Sequence, residues 1–232
     1  MPSNQHWLAA RWPFVRDNLP TPPATVLEIG CGPDGGFVPA LVAAGYDAVG
    51  VDPEAPDAPG YHRCRFEQYE SPLGLDAVVA CTSLHHVGDL TEVLKRVESM
   101  LRDRGTFVVI EWAWERFDEA TARWCFARLP ADDPDEEHGW LRRHRDSWLA
   151  SGQTWEDHLQ AWAHEEGLHT GGRVAGELQE RFEPTVLVTF GPFAFGDLPP
   201  GAEADERLAI GQGEITATGI EFVGRRRPAH TQ

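Results

Sequence analysis

Gly30, Gly32 and Gly35, in the run VLEIGCGPDGG at 26–36, put glycine where a chain turning sharply from strand to helix brings its backbone against a ligand. A Cβ at such a position would collide with what is bound. The spacing is G-x-G-x-x-G, which two kinds of nucleoside site exploit: one rests a pyrophosphate on the helix N-terminus, the other takes a nucleoside without phosphate. Asp34, inside the turn, opposes an anion there by an amount comparable to the helix-dipole attraction, up to ~2 kcal/mol in favourable geometries. Glu28, just before the glycines, supplies a carboxylate that favours a cationic ligand instead. Asp52, ending the apolar run YDAVGVD, can accept hydrogen bonds from both hydroxyls of a ribose. It identifies a nucleoside without saying which one.

His85 and His86 in SLHHV, and Glu111 in IEW, are the groups able to move a proton. Each stands at the C-terminal end of an apolar run, where an open α/β sheet presents its ligands. Histidine is the natural base near neutral pH. A carboxylate at 111 suits a second base or an amine-binding group, although its commoner role is that of a structural hydrogen-bonding partner.

The elements that must position these groups alternate. A leading helix over 5–18 ends at LPTPP, where proline cannot continue it. ATVLEIG then reads as a strand and FVPALVAAG as a helix stopped by Gly45. Further strands are expected at YDAVGVD, at 61–64, at DAVVAC and at GTFVVIEW, with the helix LTEVLKRVESMLRD before the last of these. Such alternation specifies a parallel sheet with helices on both faces. Strand alternation sends Glu111 to one face and Trp112 with Trp114 to the other. From 115 to 181 the alternation stops and the chain reads as helices rich in Trp, Arg, Asp and Glu. There Thr154 and Asp157 match a capping box, and Trp155, Leu159 and Trp162 share one helical face. Strand-like runs return at 185–195 and 215–223, with the helical EADERLAI between them. Four segments result: a leading helix at 1–23, an α/β core at 24–114, a helical cap at 115–181, and terminal strands at 182–232.

Composition limits the function. A net charge of −17 repels a phosphate backbone, and Arg225, Arg226 and Arg227 form the only basic cluster, so nucleic acid is not expected as a partner. Cys31, Cys64, Cys81 and Cys125 carry no CxxC pair, which suits reduced thiols and no metal site. No apolar window is long enough to span a membrane and no signal-peptide pattern opens the sequence, so a cytoplasmic protein without a membrane partner is expected. Lys95 is the single lysine, a bias that fits a GC-rich bacterial genome.

VLEIGCGPDGG, AVGVDPEA, DAVVACTSLHHV and LRDRGTFVVIEW, in this order and spacing, resemble the successive motifs of class I S-adenosylmethionine-dependent methyltransferases of the small-molecule, methyltransferase-type-11 group. The resemblance covers 24–114. It implies a Rossmann-like, mostly parallel seven-stranded sheet with an antiparallel last strand, the helical cap being inserted between strands 5 and 6. S-adenosylmethionine fits the acidic turn, since it carries no phosphate and bears ammonium and sulfonium charges. The resemblance places Glu28, Gly30, Cys31, Gly32 and Asp52 around its methionine and ribose parts and Pro53 beside the adenine. Phe66 and Glu67 are the candidates to frame the adenine edge, and Thr82 and Ser83 complete the cofactor set. The family often has glycine where this chain has Asp34, so the turn is open to reshaping, with Gly35 and Gly36 as compensation.

On the acceptor side the resemblance points to His86, directly before Val87, as the residue that faces the cofactor or acts as base, with His85 and Glu111 as further catalytic candidates. Trp112, Trp114 and Trp148 are the substrate-binding candidates. Arg142 and Arg143 are able to clamp an acidic group, although a solvated helix face is the commoner role. The implied reaction is methylation of a small aromatic or apolar metabolite, on oxygen in preference to nitrogen or carbon. CTSLHHV stands where many nucleic-acid and protein methylases carry an Asn/Asp-Pro-Pro-aromatic motif, which disfavours a macromolecular acceptor. The expected partners are that small molecule and a second copy in a homodimer. Two rivals differ in class. A nicotinamide oxidoreductase needs a catalytic Tyr-Lys pair or its equivalent, for which only Tyr46, Tyr61, Tyr69 and Lys95 are on hand. A noncatalytic S-adenosylmethionine-binding scaffold would keep the turn and Asp52 with its acceptor pocket filled.

Overall fold

Short runs rich in Val, Ile and Ala, each too apolar to remain in water, pair into one seven-stranded sheet in the computed structural model, which describes residues 2–70, 74–130 and 139–227. The strands are β1 (Thr25–Ile29), β2 (Asp47–Val51), β3 (Tyr61–His62), β4 (Leu75–Cys81), β5 (Leu101–Trp112), β6 (Phe182–Gly191) and β7 (Gly219–Arg226). Their spatial order is β3-β2-β1-β4-β5-β7-β6. The first five are parallel, and β7 runs antiparallel between β5 and β6. The helices are α1 (Pro2–Asn18), α2 (Val38–Ala43), α3 (Leu90–Met100), α4 (Glu119–Phe126), α5 (Trp140–Ser151), α6 (Trp155–Glu165), α7 (Gly171–Arg181) and α8 (Ala202–Gln212). The α/β architecture and antiparallel last strand are those the motifs imply.

Period-two alternation divides the core. Val26, Val79, Val108 and Ile110 face Phe37, Leu41 and the aromatic residues of the cap. Leu27, Val78, Phe107 and Val109 face Leu90, Val93, Leu94 and Val97 of α3. The cap is made of α4, α5 and α6, and part of it at 131–138, including His138, lies outside the described residues. α7 falls within the span 115–181 but belongs to the sheet, because its Val174 and Leu178, one turn apart, pack beside α3. Thr154 caps α6 by accepting from Asp157 N at 3.1 Å, and Asp89 caps α3 by accepting from Glu92 N at 3.0 Å.

The terminal strands are displaced from their expected positions. β6 begins at Phe182, directly after α7, and ends at Gly191, so Phe193 and Phe195 leave the sheet and pack on Trp112. β7 begins only at Gly219, where a Cβ would stand 2.4 Å from Pro192 O. Among the described residues no helix is long and apolar enough to cross a membrane.

α1 crosses the C-terminal edge of the sheet and is held there by Arg11, which is only 5% exposed. Its Nη2 donates to Phe193 O at 2.7 Å, and Nη1 lies 3.5 Å from Glu203 and 3.6 Å from Glu221. Burial raises the pKa of both Glu221 and Glu206, and Arg11 opposes that rise in each. Replacing Arg11 by Met is expected to lower stability by on the order of 2 kcal/mol at pH 7, since carboxylates then lack their cation. The deficit should shrink as pH falls and those carboxylates protonate, which denaturant unfolding at two pH values will measure.

Candidate active site

The turn after β1 requires glycine at two positions for different reasons. At Gly30, with φ of +80°, a Cβ would come 2.2 Å from Ser83 Cβ, so the ends of β1 and β4 touch there. Ser83 reinforces that approach, its Oγ donating to Ile29 O at 2.8 Å. At Gly32, with φ of +63°, a Cβ would meet nothing within 4 Å and would project into open space. The left-handed backbone there favours glycine by itself.

Gly32 also lines a cavity of about 170 Å³, together with Glu28, Gly30, Cys31, Gly36 and Cys81 and with Trp7 and Leu8 of α1. A second cavity, of about 330 Å³, adjoins it. His85, His86, Trp112, Trp140, Trp162, Phe193, Phe195 and Asp197 line this larger one. Trp7 and Thr82 belong to both. Thr82 holds φ of +50°, a conformation that costs a β-branched residue roughly 1–3 kcal/mol and recurs where surrounding structure forces it. Here the force is evident: Thr82 N donates to Ile110 O at 2.8 Å and thereby turns the chain between the two cavities.

Glu28 faces the smaller cavity while its carboxylate accepts from the backbone N–H of Phe37 at 2.8 Å and of Val38 at 3.1 Å. It therefore caps the start of α2. Burial pushes its pKa up to about 8, those two N–H groups oppose the rise, and Asp52 adds to it. Cys31 is raised to about 12, by burial first and then by Glu28 and Asp52, and stays a thiol. Asp52, immediately after β2, uses Oδ1 to accept from Glu54 N at 2.7 Å, and Pro53 beside it is exposed.

Behind the larger cavity lies a buried hydrogen-bonded pair. Glu111, with 0% exposure, brings Oε2 to 2.6 Å from His85 Nδ1. Its Oε1 accepts from Leu84 N at 2.6 Å, and Oε2 accepts also from Trp112 N at 3.2 Å. Burial alone would raise Glu111, but His85 and these two N–H groups outweigh it and hold the pKa below the usual carboxylate value. An anionic Glu111 makes Nδ1 the protonated nitrogen of His85. His85 is among the residues lining the cavity. His169 N donates to His85 O at 2.9 Å and fixes the loop from the other side. His86 stands against His85 at 4.2 Å between ring centroids. Its pKa is lowered to about 4, by desolvation first and by His85 second, with Glu111 opposing.

Of the tryptophans expected against the acceptor, Trp112 lines the cavity and two do not. Trp114 falls in a 3-10 turn after β5, where strand alternation no longer applies, and its Nε1 donates to His169 O at 3.1 Å. Trp148 sits in the cap's own core between Phe126 and Trp155. Phe66 is buried among Leu75, Leu94 and Val97 rather than bordering a cavity, and Glu67 is exposed. Glu111 backs the cavity without lining it. Trp7, Trp140, Trp162, Phe193, Phe195 and Asp197 were not among the residues expected from the sequence. Trp7 lies in the leading helix, and the aromatic pair at 193 and 195 falls in a run that reads as strand.

A parallel sheet closed by one antiparallel strand, with a glycine cradle after β1 and an adjoining cavity for a second molecule, defines an α/β transferase that uses a nucleoside cofactor. Residues 5–160 match the family described as methyltransferase domain, and the chain belongs to that family. It is an S-adenosylmethionine-dependent methyltransferase. Solved structures share the fold. An S-adenosylmethionine dependent methyltransferase from Mesorhizobium loti is 22% identical, with a TM-score of 0.55 over 94% of this chain and 98% of that one. Geranyl diphosphate C-methyltransferase from Streptomyces coelicolor A3(2) is 16% identical, with a TM-score of 0.54 over 94% of this chain and 79% of that one. The 1,6-didemethyltoxoflavin-N1-methyltransferase of Burkholderia thailandensis is 14% identical, with a TM-score of 0.50 over 97% and 79%. No curated protein sequence matches the chain.

Two substitutions separate cradle from scaffold. Gly32→Ala is expected to weaken S-adenosylhomocysteine binding by about tenfold or more for a stability loss near 1 kcal/mol, whereas Gly30→Ala should lose stability outright through the contact with Ser83. Calorimetric titration and thermal unfolding distinguish them. Glu28 sets a pH dependence as well. A carboxyl raised from 4.5 to about 8 on folding contributes stability below pH 4.5 that is lost as pH rises through 8. Glu28→Gln should flatten the fall in Tm across that window.

Proposed function

We propose that the protein transfers the methyl of S-adenosylmethionine to a hydroxyl oxygen of a small aromatic metabolite, with His85 as base and Glu111 as its positioning residue. The supporting observation is that the two cavities meet at Trp7 and Thr82 with His85 on the acceptor side, its ring held from behind by a buried carboxylate at 2.6 Å.

Gly30, Cys31, Gly32 and Glu28 would hold the methionine end of the cofactor, with Asp52 and Pro53 toward the ribose and adenine. Bound there, the cofactor supplies an electrophilic methyl on a cationic sulfur. The chain's own task is alignment, and orientation of this kind accounts for ~7–11 kcal/mol in well-arranged systems. Trp112, Trp140, Phe193 and Phe195 offer flat apolar walls to a ring and keep water out of the cavity. His85 Nε2 would take the hydroxyl proton as the methyl passes to the oxygen and the electron pair of the broken carbon–sulfur bond stays on sulfur, and the positive charge gained by the imidazole would lie against Glu111. General-base help of this kind is worth ~10²–10⁴ in rate. His86, with its pKa near 4, stays neutral at the cavity mouth and is a weaker base.

Incubation with S-adenosylmethionine and a panel of phenols, following S-adenosylhomocysteine release, tests the activity. His85→Ala should lower kcat by ~10²-fold or more with little change in KM, Glu111→Gln should lower it by about tenfold, and His86→Ala should do less than either. Turnover by His85→Ala at the parent rate would remove it from the role of base.

A further inference from the structure

The cradle turn contains two further glycines, each packed on a different side chain. Gly36, with φ of +56°, makes room for the carboxylate that caps α2, since a Cβ there would stand 2.7 Å from Glu28 Cδ. Gly35, with φ of +85°, packs instead on Tyr61, the first residue of β3. A Cβ on Gly35 would stand 2.9 Å from Tyr61 Cζ and closer still to the hydroxyl. Tyr61 itself lines neither of the two cavities.

A hydrogen bond joins the same two residues, Tyr61 Oη donating to Gly35 O at 3.3 Å. Val38 N donates to that carbonyl at 3.3 Å, and Gly35 N donates to Gly32 O at 3.2 Å. Gly35 therefore connects the cradle residue Gly32 to the first turn of α2, and Tyr61 holds it from the sheet. Burial first, then Cys31 and Glu28, raise the pKa of Tyr61, so the phenol keeps its proton and remains a donor. Gly50 of β2, the register partner of Tyr61, opens the space for this contact. A Cβ there would lie 2.9 Å from Cys31 Sγ and from Val38 Cγ2, and 3.0 Å from Tyr61 Cδ1. Its backbone is not left-handed, so packing and not conformation calls for glycine at that position. Three side chains converge over a strand residue that has none, and one of them, Cys31, lines the smaller cavity.

We propose that Tyr61 is a positioning residue of the cofactor site, which holds Gly35 against β3 and thereby keeps Cys31 and Gly32 in place for S-adenosylmethionine. The physical need is evident in the turn, where Gly30, Gly32, Gly35 and Gly36 all have positive φ. Glycine has the most backbone freedom to lose, and a turn built from it binds tightly only if the fold has already taken that freedom away. The assignment rests on the placement of the cofactor at Cys31 and Gly32, and it is independent of the acceptor and of the base.

Titration calorimetry of the full chain with S-adenosylhomocysteine, well below Tm, is the test. Tyr61→Phe should weaken binding by about fivefold, the scale of one neutral hydrogen bond, and Tyr61→Ala by about tenfold or more. Tyr46→Phe is the control, because Tyr46 donates to Pro20 O at 2.9 Å and lines neither cavity. It loses a hydrogen bond of the same kind away from the turn and should bind with parent affinity. A residue that served stability alone would lower Tm and leave the affinity of the folded protein unchanged. Parent affinity in both Tyr61 variants would therefore overturn the proposal, as would equal weakening by Tyr61→Phe and Tyr46→Phe. Gly32→Ala separates the two levels of the argument. If it too binds with parent affinity, the placement of the cofactor is wrong; if it alone is weakened, only the role of Tyr61 is lost.

Discussion

A carboxylate with no exposure, Glu111, sets the condition that the active-site region must satisfy. An unpaired charge in that position costs several kcal/mol, so the chain must bring donors to it. It does so by folding the loop after β4 over the end of β5, which delivers Leu84 N and the His85 ring together. That fold-back requires the positive φ of Thr82 and the close approach of Ser83 to Gly30. The cofactor cradle and the orientation of His85 are consequently parts of one solution, and a change to either is felt by the other.

The neighbouring residue shows how one strand serves two purposes. Trp112 follows Glu111 and points to the opposite face, where it touches Phe117, Trp140, Trp162, Phe193 and Phe195. Most of these contacts are tilted or edge-to-face, the arrangements favoured by ring quadrupoles. The cap is thus attached to the sheet at the point where the acceptor must sit. Two of its other tryptophans, Trp148 and Trp155, pack with Phe126 and line neither cavity.

The acidic character of the chain is resolved locally. Arg11 is placed among Glu203, Glu206 and Glu221 and thereby anchors α1, whose Trp7 and Leu8 cover the cradle. The wall that α1 gives to the smaller cavity therefore depends on a buried cation one turn along the same helix.

The amino-acid order by itself determined the alternation of strands and helices, the glycine turn with its acidic neighbours, and the place of the histidines at the end of β4. These are local properties: period-two and period-3.6 patterns, turn chemistry, and the fixed edge at which a parallel sheet presents its loops. They sufficed to identify the fold and the nucleoside cofactor. Tertiary structure alone decided which histidine meets the carboxylate, because the pairing of 85 with 111 depends on where the loop after β4 crosses β5. It also decided that α7 belongs to the sheet and that Phe193 and Phe195 leave their strand. The same holds for Trp7, Trp140 and Trp162, which line the larger cavity while Trp114 and Trp148 do not. All of these turn on contacts between residues distant along the chain, where an aromatic side chain is equally able to build a core or to line a cavity, and only the packing of neighbouring elements selects between the two.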